Sequence, residues 1–258
     1  ENLEDLTGNV TREKDAIESV GGQISFIGDT IYSSTHLLNN YFSILSPQSE
    51  NYLKDLRRRY SVDDVISRLE KLKNISVVVI GEVIIDEYYF CQPLGLANKS
   101  VTVNSQYLRS ESHLGGAGGV ANHIAGFCDN VHFISQLGSE NDNKNFIQQK
   151  LRANISCKFF TKSKSPTIVK RRYLDNTYNR LFELSFFDDR SLGREEETEI
   201  STYLKMILDR FDIVVVADYG HGFISTPTLI DTICSAKSYL AINTQTNLIL
   251  SEFHDVSP

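Results

Sequence analysis

The chain has 258 residues, 41% hydrophobic and 23% charged, with a formal net charge of −7. That balance suits a folded protein with one large core and excludes pervasive disorder, while the acid excess argues against nucleic acid as the main partner. Cys91, Cys128, Cys157 and Cys234 are too scattered for a zinc site or a disulfide framework, and Glu82 and Asp86 interrupt the longest apolar run, so no membrane span is expected and the cytoplasm fits best.

Residues 1–60 are weakly patterned and are expected to be an appendage or linker. The stretch 7–22 is polar, Gly21-Gly22 and Ser33-Ser34-Thr35 are turn-like, and only 36–45 suggests a helix, with aromatic contacts through Tyr41 and Phe42. Arg57-Arg58-Arg59 reads as a solvated helix face. The sole methionine is Met206, so the chain is expected to be an excised segment or a processed product. From Ser61 the signal sharpens. Ser61 with Asp64 makes a capping-box-like start, and Val62, Val65, Ile66, Leu69 and Leu72 fall on one helical face. An apolar strand follows over 76–85 and ends at Asp86. Roughly thirty residues later, Gly115-Gly116-Ala117-Gly118-Gly119 turns the chain into the helical pattern that opens at Val120.

Further on, strands are expected over 131–135, 155–160, 212–217 and 239–243, and helices over 141–153, 194–210 and 225–237. Two successive strands, 167–174 and 180–187, flank the turn Asp175-Asn176-Thr177-Tyr178-Asn179, a hairpin that puts Lys170 and Arg172 on one face. Buried strands alternating with helices indicate a parallel sheet covered on both faces, and ligands in such folds bind beyond the carboxyl ends of strands. Asp86 and Asp218 are both expected at such an end, on one rim with the glycine turn.

Each of these features has a functional and a plain reading. Four glycines in five residues let a ligand approach the backbone, and the helix that opens beside them presents free N–H groups to an anion or to sugar hydroxyls; otherwise they form a turn that binds nothing. The Asp86 carboxylate could accept hydrogen bonds from two adjacent sugar hydroxyls, or serve as an ordinary turn or cap acid. Asp218 shares that ambiguity beside Gly220 and Gly222. Lys170 and Arg172 could clamp a phosphate, or line an exposed hairpin. His113, His123 and His221 lie near glycine motifs with no Ser or Cys nucleophile beside them, and read as structural or rim residues.

Taken in order, residues 78–86, 115–125, Pro166-Thr167-Ile168-Val169-Lys170-Arg171-Arg172 and Ala217-Asp218-Tyr219-Gly220-His221-Gly222 resemble the ribokinase-like (PfkB) carbohydrate kinases, the branch acting on heptose 7-phosphate being nearest in look. The resemblance runs over about 61–243. It implies a three-layer α/β/α domain over 61–258, incomplete at its C-terminal end, with a mostly parallel sheet and a small β lid built partly from 101–109 and 167–187. It implies that Asp86, Gly115 and Gly116 hold the sugar, that Lys170 and Arg172 face its phosphate, and that Asp218 lines the cleft. Where the family usually carries an asparagine just after the glycines, this chain has Gly119, and Asn122 one turn later is the candidate substitute. ATP with Mg²⁺ and a homodimer through the lid belong to the same implication.

The Gly-Ala-Gly-Asp motif that supplies the general base and anion hole in that family does not occur before Pro258, so no catalytic residue is assigned and most of the ATP site is expected outside this chain. The lysine common in the family's Asp-Tyr-x-Lys-Gly loop is His221 here. The leading expectation is the substrate-binding part of an ATP-dependent sugar or sugar-phosphate kinase; the alternative is a catalytically inactive sugar-binding or scaffold module. A further alternative, an NAD-dependent oxidoreductase, comes from Gly116-x-Gly118-x-x-Ala121 with Glu140 downstream. That fingerprint belongs directly after the first βαβ strand, from which these glycines are separated.

Overall fold

The computed structural model describes residues 9–23, 45–96 and 102–245. By its internal contacts the chain divides into two units, Glu1–Ser61 and Val62–Pro258. The first unit carries α1 (Asn9–Ser19) and α2 (Pro47–Arg59). In α2, Ser46 Oγ accepts the Ser49 N–H at 3.2 Å and Pro47 takes the first helical position, two ordinary start signals. Its basic end is a solvated face, where Asp55 pairs with Arg58 at 2.6 Å and Arg59 at 3.3 Å. The helix expected over 36–45 falls outside the described residues except for Leu45, whereas α1 lies in a stretch expected to be irregular.

The second unit begins with α3 (Val62–Lys71) and continues through β1 (Ser76–Gly81), β2 (Val83–Leu96), β3 (Val103–Gly115), α4 (Gly116–Ile124), β4 (Asn130–Glu140), α5 (Lys144–Lys150) and β5 (Ile155–Pro166). The hairpin β6 (Val169–Leu174) and β7 (Arg180–Phe186) comes next, then α6 (Arg194–Ile207), β8 (Ile213–Asp218), α7 (Pro227–Cys234) and β9 (Tyr239–Thr244). The larger sheet has the order β5-β4-β1-β8-β9 with every neighbouring pair parallel.

Strand β1 sits at its centre, and alternation along it divides the core. Val78 and Ile80 pack with Ile200 and Leu204 of α6 and Leu229 and Ile233 of α7, while Val77 and Val79 pack with Ala117 and Ala121 of α4 and Ile147 of α5. Each such Val, Leu or Ile side chain, fully buried, contributes about 1.5–3 kcal/mol of transfer free energy. With helices on both faces of a parallel sheet, the unit is a three-layer α/β domain.

A second sheet, order β3-β2-β6-β7, forms the lid. Strand β2 is antiparallel to β3 and parallel to β6, and β6 is antiparallel to β7. This corrects the single strand expected over 76–85. The core strand stops at Gly81, where a Cβ would lie 2.0 Å from the Ala217 carbonyl oxygen, and the Val83 N–H leaves the ladder to meet Ser135 Oγ at 2.9 Å. Asp86 therefore lies inside lid strand β2 rather than beyond a core strand's end, whereas Asp218 does close β8. The glycines are also displaced from expectation: Gly116 through Gly119 already belong to α4.

Candidate functional site

The lid register gathers most of the residues singled out by sequence. Asp86 of β2 stands opposite Lys170 of β6 and His113 of β3, and Tyr88 stands opposite Arg172, which in turn faces Glu183 of β7. Directly paired residues project to the same side, so all of these share one face of the lid. On that face Arg172 NH1 donates to Asp86 Oδ1 at 2.5 Å and to the Tyr88 hydroxyl at 3.4 Å, and Arg172 Nε lies 2.9 Å from Glu183 Oε2. Burial works against the Arg172 charge, but the Asp86 bond and the nearby acids outweigh it and raise its pKa. Among the described residues Lys170 has no ion-pair partner.

Two glycines shape the floor beneath Asp86. A Cβ on Gly115 would lie 2.0 Å from Asp86 Oδ2, so the absence of a side chain is what lets the carboxylate settle against the start of α4. Gly116 has φ +55°, and a Cβ there would come within 2.4 Å of the Glu82 carbonyl, which also accepts the Ala117 N–H at 2.8 Å. Asp218 is 1% exposed; its Oδ1 accepts the Gly220 N–H at 3.0 Å and its Oδ2 the Thr244 hydroxyl at 2.6 Å. The Tyr219 phenol is raised in pKa by burial and then by the charges of Glu82 and Asp86, which puts the loop after Asp218 in the electrostatic neighbourhood of Asp86.

Asn122 does not join this group. Its Nδ2 donates to the Lys150 carbonyl at 2.9 Å and its Oδ1 accepts the Arg152 N–H at 2.9 Å. One donor and one acceptor of the amide are used in tying α4 to the end of α5. The glycine fingerprint of a dinucleotide site also lacks its context, because α4 follows an antiparallel lid strand rather than a core strand.

Sequence reading missed a buried polar hinge. Glu82, 2% exposed between β1 and β2, accepts backbone N–H groups from Tyr219 at 2.8 Å, His221 at 3.3 Å and Phe223 at 3.2 Å. Burial, with the Asp218 charge adding to it against these hydrogen bonds, pushes its pKa up to about 7. Lys162, 7% exposed, donates to the carbonyls of Asp188 and His221 and is lowered in pKa chiefly by burial. His221 Nδ1 meets Asp189 at 2.9 Å. The signal for Glu82 was present, since an acid inside an apolar run needs buried partners.

Among the described residues no group of three or more His, Cys, Asp or Glu side chains is placed to hold a metal, and no helix is long and apolar enough to cross a membrane. A cavity of about 650 Å³ between β5 and α6 is lined by Phe160, Tyr203 and Met206 among others and includes none of the lid residues above. Chemically, the Asp86 cluster offers a fixed carboxylate acceptor, an open backbone and an ammonium with no ion-pair partner among the described residues.

No family model matches the chain. It is 25% identical over 175 residues to the D-beta-D-heptose 7-phosphate kinase of Bordetella bronchiseptica, covering 63% of this chain and 55% of that protein. It is likewise 25% identical over 185 residues to the bifunctional protein HldE of Syntrophotalea carbinolica, covering 69% of this chain and 36% of that protein. The chain thus spans little more than half, or less, of the curated relatives it matches. Among solved structures, phosphofructokinase-2 of Escherichia coli, in complex with fructose-6-phosphate, aligns with a TM-score of 0.53 and 12% identity over 71% of this chain and 59% of that one. The chain has the ribokinase-like fold and is similar in sequence to part of a heptose 7-phosphate kinase and part of a bifunctional protein HldE.

Proposed function

We propose that this chain is the sugar-binding part of an ATP-dependent carbohydrate kinase. The observation that carries the reading is the Asp86 carboxylate at the root of the lid, fixed by Arg172 at 2.5 Å and seated where Gly115 leaves room for it. A carboxylate so held accepts hydrogen bonds from adjacent hydroxyls without first paying to order itself. The relatedness to heptose 7-phosphate kinases makes a seven-carbon sugar or its phosphate the first substrate to test.

In this reading Asp86, Gly115 and Gly116 orient the sugar, Lys170 offers a point charge to an anionic substituent, and Asp218 braces the neighbouring loop. Phosphoryl transfer depends mainly on positioning and charge neutralisation, for which the whole protein would use ATP with Mg²⁺. No metal-binding group is formed among the described residues, so no step is assigned to Mg²⁺ here. Association of two copies through the lid belongs to the same proposal and is supported by Phe182, Leu184 and Phe186, which alternate along β7 and are exposed.

The test is transfer of the ATP γ-phosphoryl by the full-length protein to heptose 7-phosphate, with free heptose and fructose 6-phosphate as competing acceptors. Turnover that disappears with D86A supports the reading. No turnover on any sugar or sugar phosphate sinks it.

A further inference from the structure

A small cavity of about 20 Å³ lies at the joint between the core sheet and the lid. Three of the passages by which the chain crosses from one to the other border it: Glu82 between β1 and β2, the stretch 166–168 between β5 and β6, and Asp188 beyond the end of β7. Gln136 of β4, Lys162 of β5 and His221 of the loop after β8 add further polar wall.

Two buried atoms here have no hydrogen-bond partner among the described residues, Gln136 Nε2 and His221 Nε2. A buried polar atom left so is costly, and native structures satisfy nearly all of them with protein groups or ordered water. The neighbouring groups are already engaged. Glu82 accepts the N–H groups of Tyr219, His221 and Phe223, the Thr167 hydroxyl donates to the Asp142 carbonyl at 2.9 Å, and the Ser165 hydroxyl donates to the Pro166 carbonyl at 3.2 Å. His221 Nδ1 lies 2.9 Å from Asp189 Oδ1, a carboxylate that only accepts and so draws the proton of the neutral ring to that nitrogen. His221 Nε2 is then an acceptor, whereas Gln136 Nε2 is a donor.

A partner common to the two must both accept and donate. A cation would crowd the Lys162 ammonium, whose Nζ donates to the Asp188 carbonyl and reaches the His221 carbonyl at 3.5 Å, and an anion would face the Glu82 carboxyl. Size is equally selective. One water takes about 10–15 Å³ of such a cavity and two to four polar partners, so the space admits one and leaves no room for a second. Water also serves either orientation of the Gln136 amide, because it donates and accepts alike.

We propose that the joint is a built site for one buried water, which accepts from Gln136, donates to His221 and links β4 and the loop after β8 to the crossings into the lid. The site stands whether or not the cleft beside Asp86 takes a sugar.

Oxygen-17 relaxation dispersion of the 258-residue chain counts long-lived buried waters, amide hydrogen exchange reads the joint itself, and a wild-type crystal structure shows what Gln136 and His221 bond. The variants are Q136M, which keeps the side chain's length and removes its amide, and H221F, which serves if the methionine variant does not fold. Either is expected to hold one long-lived water fewer than wild type. The N–H groups of Tyr219 and Phe223 are expected to exchange about tenfold faster relative to those of Val78 and Val79 in β1, a ratio that removes any change in global stability. Equal water counts in all proteins, or a wild-type crystal structure in which the two side chains bond protein groups or an ion at the joint, overturns the site. A lost water with the exchange ratio unmoved overturns its role as the link.

Discussion

The Glu82 carboxylate accepts the Tyr219 N–H at 2.8 Å, and with the N–H groups of His221 and Phe223 it binds the entry to the lid to the loop that follows Asp218. Glu82 is the residue between the last core position, Gly81, and the first lid position, Val83. A change in lid orientation therefore strains the loop after Asp218, and the two are mechanically one part.

That pairing has a pH signature. Glu82 titrates at about 7 in the folded protein against 4.5 in an unperturbed glutamate. Between those values the unfolded chain releases this proton while the folded one retains it, so stability falls as pH rises from about 4.5 to about 7 and is level above that. The full span is on the order of 3 kcal/mol. E82Q, which mimics the protonated side chain, is expected to flatten this part of the profile. Urea unfolding of both proteins from roughly pH 5 to pH 8 reads the slopes directly; identical slopes would mean that Glu82 is not the titrating group.

Two glycines that meet equally close obstacles should respond differently. A Cβ on Gly115 would meet Asp86 Oδ2, and one on Gly81 the Ala217 carbonyl oxygen, each at 2.0 Å. The first obstacle is the end of a side chain that can swing aside; the second is backbone inside a parallel ladder. Gly115→Ala is expected to change stability by about 0.5 kcal/mol or less while lowering sugar affinity, because Asp86 must leave its seat. Gly81→Ala should destabilise the fold by about 3 kcal/mol. Thermal melts beside sugar titrations distinguish the cases, and equal melting losses would show that Asp86 cannot move.

Asn122 provides the opposite control. Its amide bonds Lys150 and Arg152, so Asn122→Ala should cost about 1–3 kcal/mol of stability and leave sugar affinity unchanged. A selective loss of sugar binding in a variant of normal stability would return Asn122 to the site.

These contrasts trace what the sequence could and could not reveal. The core run of β1 was legible because Val77 through Ile80 are apolar without a break, but its end was not, since Val83 and Ile85 at the lid root are as buried as the core and equally apolar. Helix α1 escaped notice for the reverse reason: it is polar nearly all round, and periodicity has nothing to register. Period-two alternation did place Lys170 and Arg172 on one face. What it could not supply was the pairing of strands, on which the contacts from Arg172 to Asp86 and Glu183 depend. The structural bonds of Asn122 were not legible either, because its partners lie 28 and 30 residues away, beyond any local pattern.

If Arg172 acts through Asp86 rather than on the sugar itself, the two residues should be energetically coupled. The arginine holds one carboxylate oxygen at 2.5 Å while the other stands over Gly115, so removing Arg172 frees the acid to rotate, and removing Asp86 leaves nothing for the arginine to orient. A double-mutant cycle of D86A and R172A, read in sugar affinity, is expected to give a loss in the double variant close to that of D86A alone, with a coupling of about 0.5–3 kcal/mol. R172K should restore little, because a lysine ammonium cannot hold Asp86 with the directed N–H geometry of the planar guanidinium. Additive losses would instead place Arg172 in direct contact with the sugar.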